Sequence, residues 1–218
     1  MATIPTTNLH DPLLSPEVQA HLAAATARLG EELGSTFGSE TIQRYLRSSY
    51  VALAETATVL THLPLLAERF TRERLLATAR VEGLVTSTAP VVLFLCVHNA
   101  GRSQMALGFL RHHAGDTVIG WSGGSAPGGE LEPNAVAAMA DRGIDISTEF
   151  PKPWTDEVVR AADVVISMGC GDACPIFPGK RYEEWTLADP AGAELDEVRR
   201  IRDDIEERVQ ELLQRLRD

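Results

Sequence analysis

Cys96 and Arg102 stand six residues apart in Cys96-Val97-His98-Asn99-Ala100-Gly101-Arg102-Ser103. The apolar run Ala89–Leu95 precedes the thiol, and the helical segment Gln104–Leu110 follows the arginine. The pattern reads as a buried strand, a tight loop and a helix. Such a loop turns its backbone N–H groups inward, and with the helix N-terminus it favours negative charge. The guanidinium of Arg102 adds a fork of donors that matches two oxygens of phosphate or arsenate. The same field favours the thiolate form of a cysteine, which is the nucleophilic form. The expected chemistry is therefore attack by Cys96 on a tetrahedral oxyanion. Val97, His98, Asn99, Ala100, Gly101, Arg102 and Ser103 are expected to line the anion.

Two further thiols lie downstream in Cys170-Gly171-Asp172-Ala173-Cys174-Pro175. On a helix, positions four apart face the same way at about 6 Å, near enough for a disulfide after modest distortion. Two structural cysteines, or half of a zinc site, are the alternatives. No second Cys/His pair with metal spacing accompanies them, so no metal site is expected. Asp189-Pro190 is by itself a turn signal. Ser103 can donate to the Cys96 sulfur, cap the following helix, or do both. Asn99 suits a left-handed backbone position and can brace the loop through its amide.

The segment Cys96–Arg102 with Ser103-Gln104-Met105-Ala106 resembles the phosphate loop of arsenate reductases built on the low-molecular-weight tyrosine phosphatase fold. Ser167-Met168-Gly169-Cys170, Cys174-Pro175 and Ala188-Asp189-Pro190-Ala191-Gly192 extend the resemblance, which runs from about Val91 to the C-terminus. It implies that Cys96 forms a thiol–arsenic adduct and that Cys170 attacks the adduct's sulfur and expels arsenite. Cys174 would then move the disulfide to Cys170–Cys174, where thioredoxin reduces it. It implies that Asp189 is the general acid. A small thiol such as mycothiol or glutathione is the alternative reductant. The departures are Gly101, where many members carry a cysteine, His98 in place of a glycine, and Leu107, where some members place an acidic potassium ligand. A low-molecular-weight tyrosine phosphatase is the competing reading. It needs only Cys96, Arg102, Ser103 and Asp189, but Ala191-Gly192 stands where such phosphatases tend to have tyrosines.

The elements that must position these groups fall into two parts, expected at residues 1–88 and 89–218. Residues from about Ser15 to Val85 read as helix. Val18, Leu22, Ala25 and Leu29 share one face, with Gly30 and Gly34 breaking it. Ser39 is expected to cap a second helix carrying Ile42, Leu46, Tyr50 and Leu53, Pro64 to open a third, and Thr71 to cap a further stretch. This makes a bundle of three or four helices, followed by a linker over Glu82–Pro90. From Val91 strands and helices alternate, which predicts an α/β fold: a doubly wound, four-stranded parallel sheet. Strands are expected at Val91–Leu95, Thr117–Trp121, Asp163–Ser167 and Arg181–Thr186. Helices are expected at Ser103–His113, Pro133–Arg142, Trp154–Ala161 and Glu194–Arg217. Cys96 and Cys170 then sit at carboxyl ends of strands, where such sheets bind ligands.

Composition narrows the partners. With 20 basic and 31 acidic residues the net charge is −11, which argues against nucleic acid or an anionic membrane. The apolar run Ala89–Val97 is too short to span a bilayer. No basic segment precedes an apolar core, so no signal peptide is expected. Three cysteines fit a cytoplasmic protein with working thiols better than a disulfide-stapled one. Met1–Pro90 holds 7 Arg, no Lys and 9 acidic residues, 7 − 9 = −2, and so lacks a basic footprint. Self-association as a homodimer, or docking of a partner, is the role expected of the helical part. No cofactor is expected.

Overall fold

The computed structural model describes residues 14–57, 61–85, 87–169 and 176–217. Two compact units are present, Met1–Thr86 and Ser87–Asp218. The first is built from α1 (Pro16–Leu33), α2 (Ser39–Ala54) and α3 (Leu63–Val81). Ser15 opens α1 by accepting the Val18 N–H at its side-chain oxygen. Leu22, Leu29, Ile42, Leu46, Phe70 and Leu75 form its core. Three expectations fail here: the N-cap of α2 is Gly38, and Ser39, expected to cap it, is its first helical residue. Gly30 does not break α1, because one glycine costs a helix only about 1 kcal/mol and Leu29 is fully buried. Thr71 does not open a fourth helix: it lies buried inside α3, where neither glycine nor proline interrupts residues 65–81. Arg74 of α3 is held inside the bundle by the hydroxyls of Ser48 (2.7 Å) and Ser49 (3.0 Å), with the Tyr45 ring 4.9 Å from its guanidinium carbon.

The second unit carries β1 (Val91–Cys96), β2 (Ile119–Gly124), β3 (Val164–Met168) and β4 (Arg181–Glu184) in one sheet, order β2-β1-β3-β4, all parallel. Every residue of β1 is buried, as a central strand of a parallel sheet requires. Val92, Phe94 and Cys96 face a core shared with α4 (Arg102–Ala114), α5 (Pro133–Ala140) and α7 (Leu195–Arg217). The short α6 (Asp156–Ala161) also touches β1. The α7 stripe Val198, Ile201, Ile205, Val209 and Leu212 closes this core.

Register decides where the chemistry goes. Cys96 pairs with Gly124 on one side and Met168 on the other, so three strands end level with the thiol. The second strand differs from its sequence reading. Thr117 belongs to a 3-10 turn, and the strand, expected to end at Trp121, extends through Ser122-Gly123-Gly124. These glycines are required by close approach rather than by turning: a Cβ on Gly124 would lie 2.7 Å from the Val97 carbonyl oxygen, and one on Gly123 would lie 2.9 Å from the Trp154 backbone.

Candidate active site

The loop between β1 and α4 is laced from outside. The carbonyls of Cys96, Val97, His98 and Ala100 accept N–H bonds from Ser125 (3.2 Å), Ala126 (2.9 Å), Gly128 (2.8 Å) and Glu132 (3.0 Å). With the carbonyls turned outward, loop amides are left for the interior. Among the described residues no backbone carbonyl takes the N–H of Gly101, Arg102 or Ser103. These amides open α4, where backbone partial charge is positive. The arrangement can cradle an anion.

The sulfur of Cys96 is buried in this cradle, and its partners can be assigned by donor and acceptor logic. The Asn99 backbone N–H donates to it at 3.2 Å, and the Ser103 hydroxyl oxygen lies 3.0 Å away. Asn99 holds φ at 51°, a left-handed conformation that Asn tolerates. Its Oδ1 accepts from the Lys152 backbone N–H (3.0 Å) and from Gln104 Nε2 (3.1 Å). A backbone N–H can only donate, so the Asn99 amide is fixed with Nδ2 toward Ser103, at 2.8 Å. The Ser103 oxygen therefore accepts from Asn99, and its single proton is free for the Cys96 sulfur. The Cys96 sulfur then has two hydrogen-bond donors, the Asn99 N–H and the Ser103 hydroxyl. Ser103 lies inside α4, whose N-cap position is Gly101, so its hydroxyl is not the helix cap.

Arg102 closes the other side. It is buried, and its Nη2 donates to Asp189 Oδ2 at 2.9 Å, while half of the Asp189 side chain stays exposed. Asp189 also accepts the Ala191 N–H at 3.2 Å, in the turn that Asp-Pro promised. Cys96, His98, Ala100, Gly101, Arg102, Glu132, Asp189 and Ala191 are among the residues lining a cavity of about 190 Å³. His98 is exposed at its rim. Gly169, at φ 79°, lies where an added Cβ would come within 3.2 Å of the Arg102 guanidinium. Gly101 packs on Pro190, and a Cβ there would lie 2.6 Å from the proline ring. Cys170 and Cys174 lie outside the described residues. β3 ends at Met168, which pairs with Cys96, and Gly169 is the last described residue before them.

Three participants escaped the sequence reading as site residues: Gln104, Lys152 and Glu132. Gln104 donates to the Asn99 carbonyl (3.0 Å) and to the Phe150 carbonyl (3.0 Å), tying the loop to residues 150–152. It is the polar residue immediately before the apolar stretch Met105–Leu110, and it is fully buried in the fold. Lys152 acts through its backbone, which no sequence pattern marks. Glu132 precedes Pro133 and reads as an ordinary helix start.

A parallel sheet whose central strand ends in a buried thiol, followed by a loop of inward amides and a helix-borne arginine, defines a phosphatase-like oxyanion enzyme. Residues 91–218 match the family described as Low molecular weight phosphotyrosine protein phosphatase, and residues 22–79 match the Protein-tyrosine-phosphatase-like, N-terminal domain. A solved thioredoxin-dependent arsenate reductase of Corynebacterium glutamicum is 46% identical, with a TM-score of 0.81 over 90% of this chain and 96% of that one. An arsenate reductase of Bacillus licheniformis is 41% identical over 128 residues, 54% of this chain and 91% of the relative. A tyrosine phosphatase of Erwinia amylovora, 18% identical with a TM-score of 0.53 over 59% of this chain and 93% of that one, shares the fold. The chain belongs to the low-molecular-weight phosphotyrosine protein phosphatase family, within its branch of thioredoxin-coupled arsenate reductases.

Proposed function

We propose that this enzyme reduces arsenate to arsenite through a three-cysteine relay regenerated by thioredoxin. The observation that carries the reading is the Cys96 sulfur under two donors, in a small cavity that also holds Arg102 and Asp189. In the first step the Cys96 thiolate attacks arsenic(V). A proton from Asp189 lets the departing oxygen leave as water. Arg102 turns its fork from Asp189 to the anion's oxygens. In the second step the Cys170 thiolate attacks the Cys96 sulfur. The electron pair of the S–As bond passes to arsenic, which leaves as arsenite, and a Cys96–Cys170 disulfide remains. In the third step Cys174 attacks Cys170, frees Cys96 as thiolate and forms a Cys170–Cys174 disulfide. The dithiol of thioredoxin reduces this pair and is itself oxidised.

Hydrolysis of phosphotyrosine is the second reading. The cavity lining weighs against it: among the described residues it includes Ala100, Gly101, Gly128, Pro190 and Ala191, and no Phe, Tyr or Trp to stack on a phenyl group. Single-turnover reaction of the reduced protein with arsenate tests the choice. The relay yields one arsenite and one Cys170–Cys174 disulfide per chain. Release of phosphate from a phosphotyrosine peptide at a rate exceeding arsenate reduction would reverse it. For the helical unit we propose self-association, to be read from the mass of the native protein in solution.

A further inference from the structure

Glu132 has no role in the relay, yet it lines the same cavity as Cys96 and Arg102. Its backbone N–H donates to the Ala100 carbonyl at 3.0 Å, which pins the residue to the oxyanion loop. Its carboxylate does not cap α5, which begins at the next residue. Among the described residues it forms no ion pair, whereas the other acid of the lining, Asp189, is engaged by Arg102. A carboxylate in the lining of an anion cavity, with no cationic partner among the described residues, repels a bare anion oxygen. It becomes attractive only when the anion brings a proton, because O–H to carboxylate is among the stronger hydrogen bonds.

We propose that Glu132 is a specificity-determining residue, which selects tetrahedral oxyanions that carry a proton and rejects those that do not. Arsenate and phosphate hold a proton near neutral pH; sulfate, of similar size and shape, holds none. The inference rests on the reading of this cavity as the arsenate site. It also divides the work between the acids: Asp189 delivers a proton to the leaving oxygen, and Glu132 accepts a hydrogen bond from an oxygen that stays.

The test uses the full chain with Cys170→Ser and Cys174→Ser, so that Cys96 is the sole thiol, and follows its alkylation by iodoacetamide. Phosphate and sulfate are titrated as protectants. The expected result is that phosphate protects at a concentration about tenfold or more below sulfate. Glu132→Gln should tighten sulfate by about tenfold, since an amide replaces repulsion with a donor, and should change phosphate by less than about threefold. An unchanged phosphate-to-sulfate ratio in Glu132→Gln overturns the proposal, as does equal weakening of both anions. Failure of both anions to protect Cys96 in the parent overturns both the proposal and the site reading. A shifted ratio in a protein that does not turn over arsenate with thioredoxin supports the selectivity and rejects the reductase relay.

Discussion

The donor and acceptor logic around Cys96 makes a quantitative prediction for Asn99→Asp. Aspartate tolerates the 51° φ of this position, and its oxygens can still accept from the Lys152 N–H and Gln104 Nε2. What it cannot do is donate to Ser103. The Ser103 proton is then drawn to the new carboxylate and away from the sulfur. A hydrogen bond to a charged group is worth about 1.5–3 kcal/mol, so reactivity of Cys96 should fall about tenfold to a hundredfold. Ser103→Ala removes the same donor and should cost a similar amount. The two losses must overlap: in the Ser103→Ala background, Asn99→Asp should add only the repulsion of its own charge. The assay is the second-order rate of iodoacetamide alkylation at fixed pH, with Cys170→Ser and Cys174→Ser in every protein. Single-turnover arsenite formation cannot be used there, because that background lacks the resolving thiols. Free-energy losses that add to within about 0.5 kcal/mol would refute the relay from Lys152 through Asn99 and Ser103 to Cys96.

Three further outcomes follow from the geometry. Arg102→Lys replaces a planar fork with a point charge and should raise the arsenate KM about tenfold or more in steady-state assays. Gly101→Ala places a methyl 2.6 Å from the Pro190 ring. Overpacking of this kind costs about 1–3 kcal/mol, seen as a lower melting temperature together with reduced kcat, because Pro190 follows Asp189. Asp203 is a pH probe remote from the thiol. Burial alone would push its carboxyl up, but hydrogen bonds from Arg142 and Arg202 hold it below its ordinary 3.8. A group depressed on folding stabilises the protein fully above its unfolded value, and that stabilisation is lost as pH falls through the lowered one. The melting-temperature gap between the parent and Asp203→Asn should therefore be widest near neutral pH and close below about pH 4. The gap should be small, because the side chain is half exposed.

Strong local signals made the catalytic frame legible in the sequence. The apolar run into Cys96, the turn at Asp189-Pro190 and the long amphipathic pattern of α7 each state an element by themselves. The misreadings have tertiary causes. Gly123 and Gly124 look like a loop because glycine is a local turn signal, yet here they admit the Trp154 backbone and the Val97 carbonyl across the sheet end. Thr71 looks like a cap but is buried in α3 by its bundle. Lys152 was invisible as a site residue because its contribution is one main-chain N–H placed 53 residues from Asn99. Gln104 belongs to the segment that carries the resemblance, but its contact with the Phe150 carbonyl spans 46 residues. Pairings at such separation depend on how the elements pack, which spacing along the chain does not encode.

The most direct test of the account is NADPH oxidation by the pure protein with arsenate, thioredoxin and thioredoxin reductase, using phosphate as the blank. Arsenate-dependent turnover is expected, and it should disappear in each of Cys96→Ser, Cys170→Ser and Cys174→Ser, with Cys170→Ser retaining adduct formation at Cys96. Sustained turnover in Cys170→Ser or Cys174→Ser would contradict the three-thiol relay.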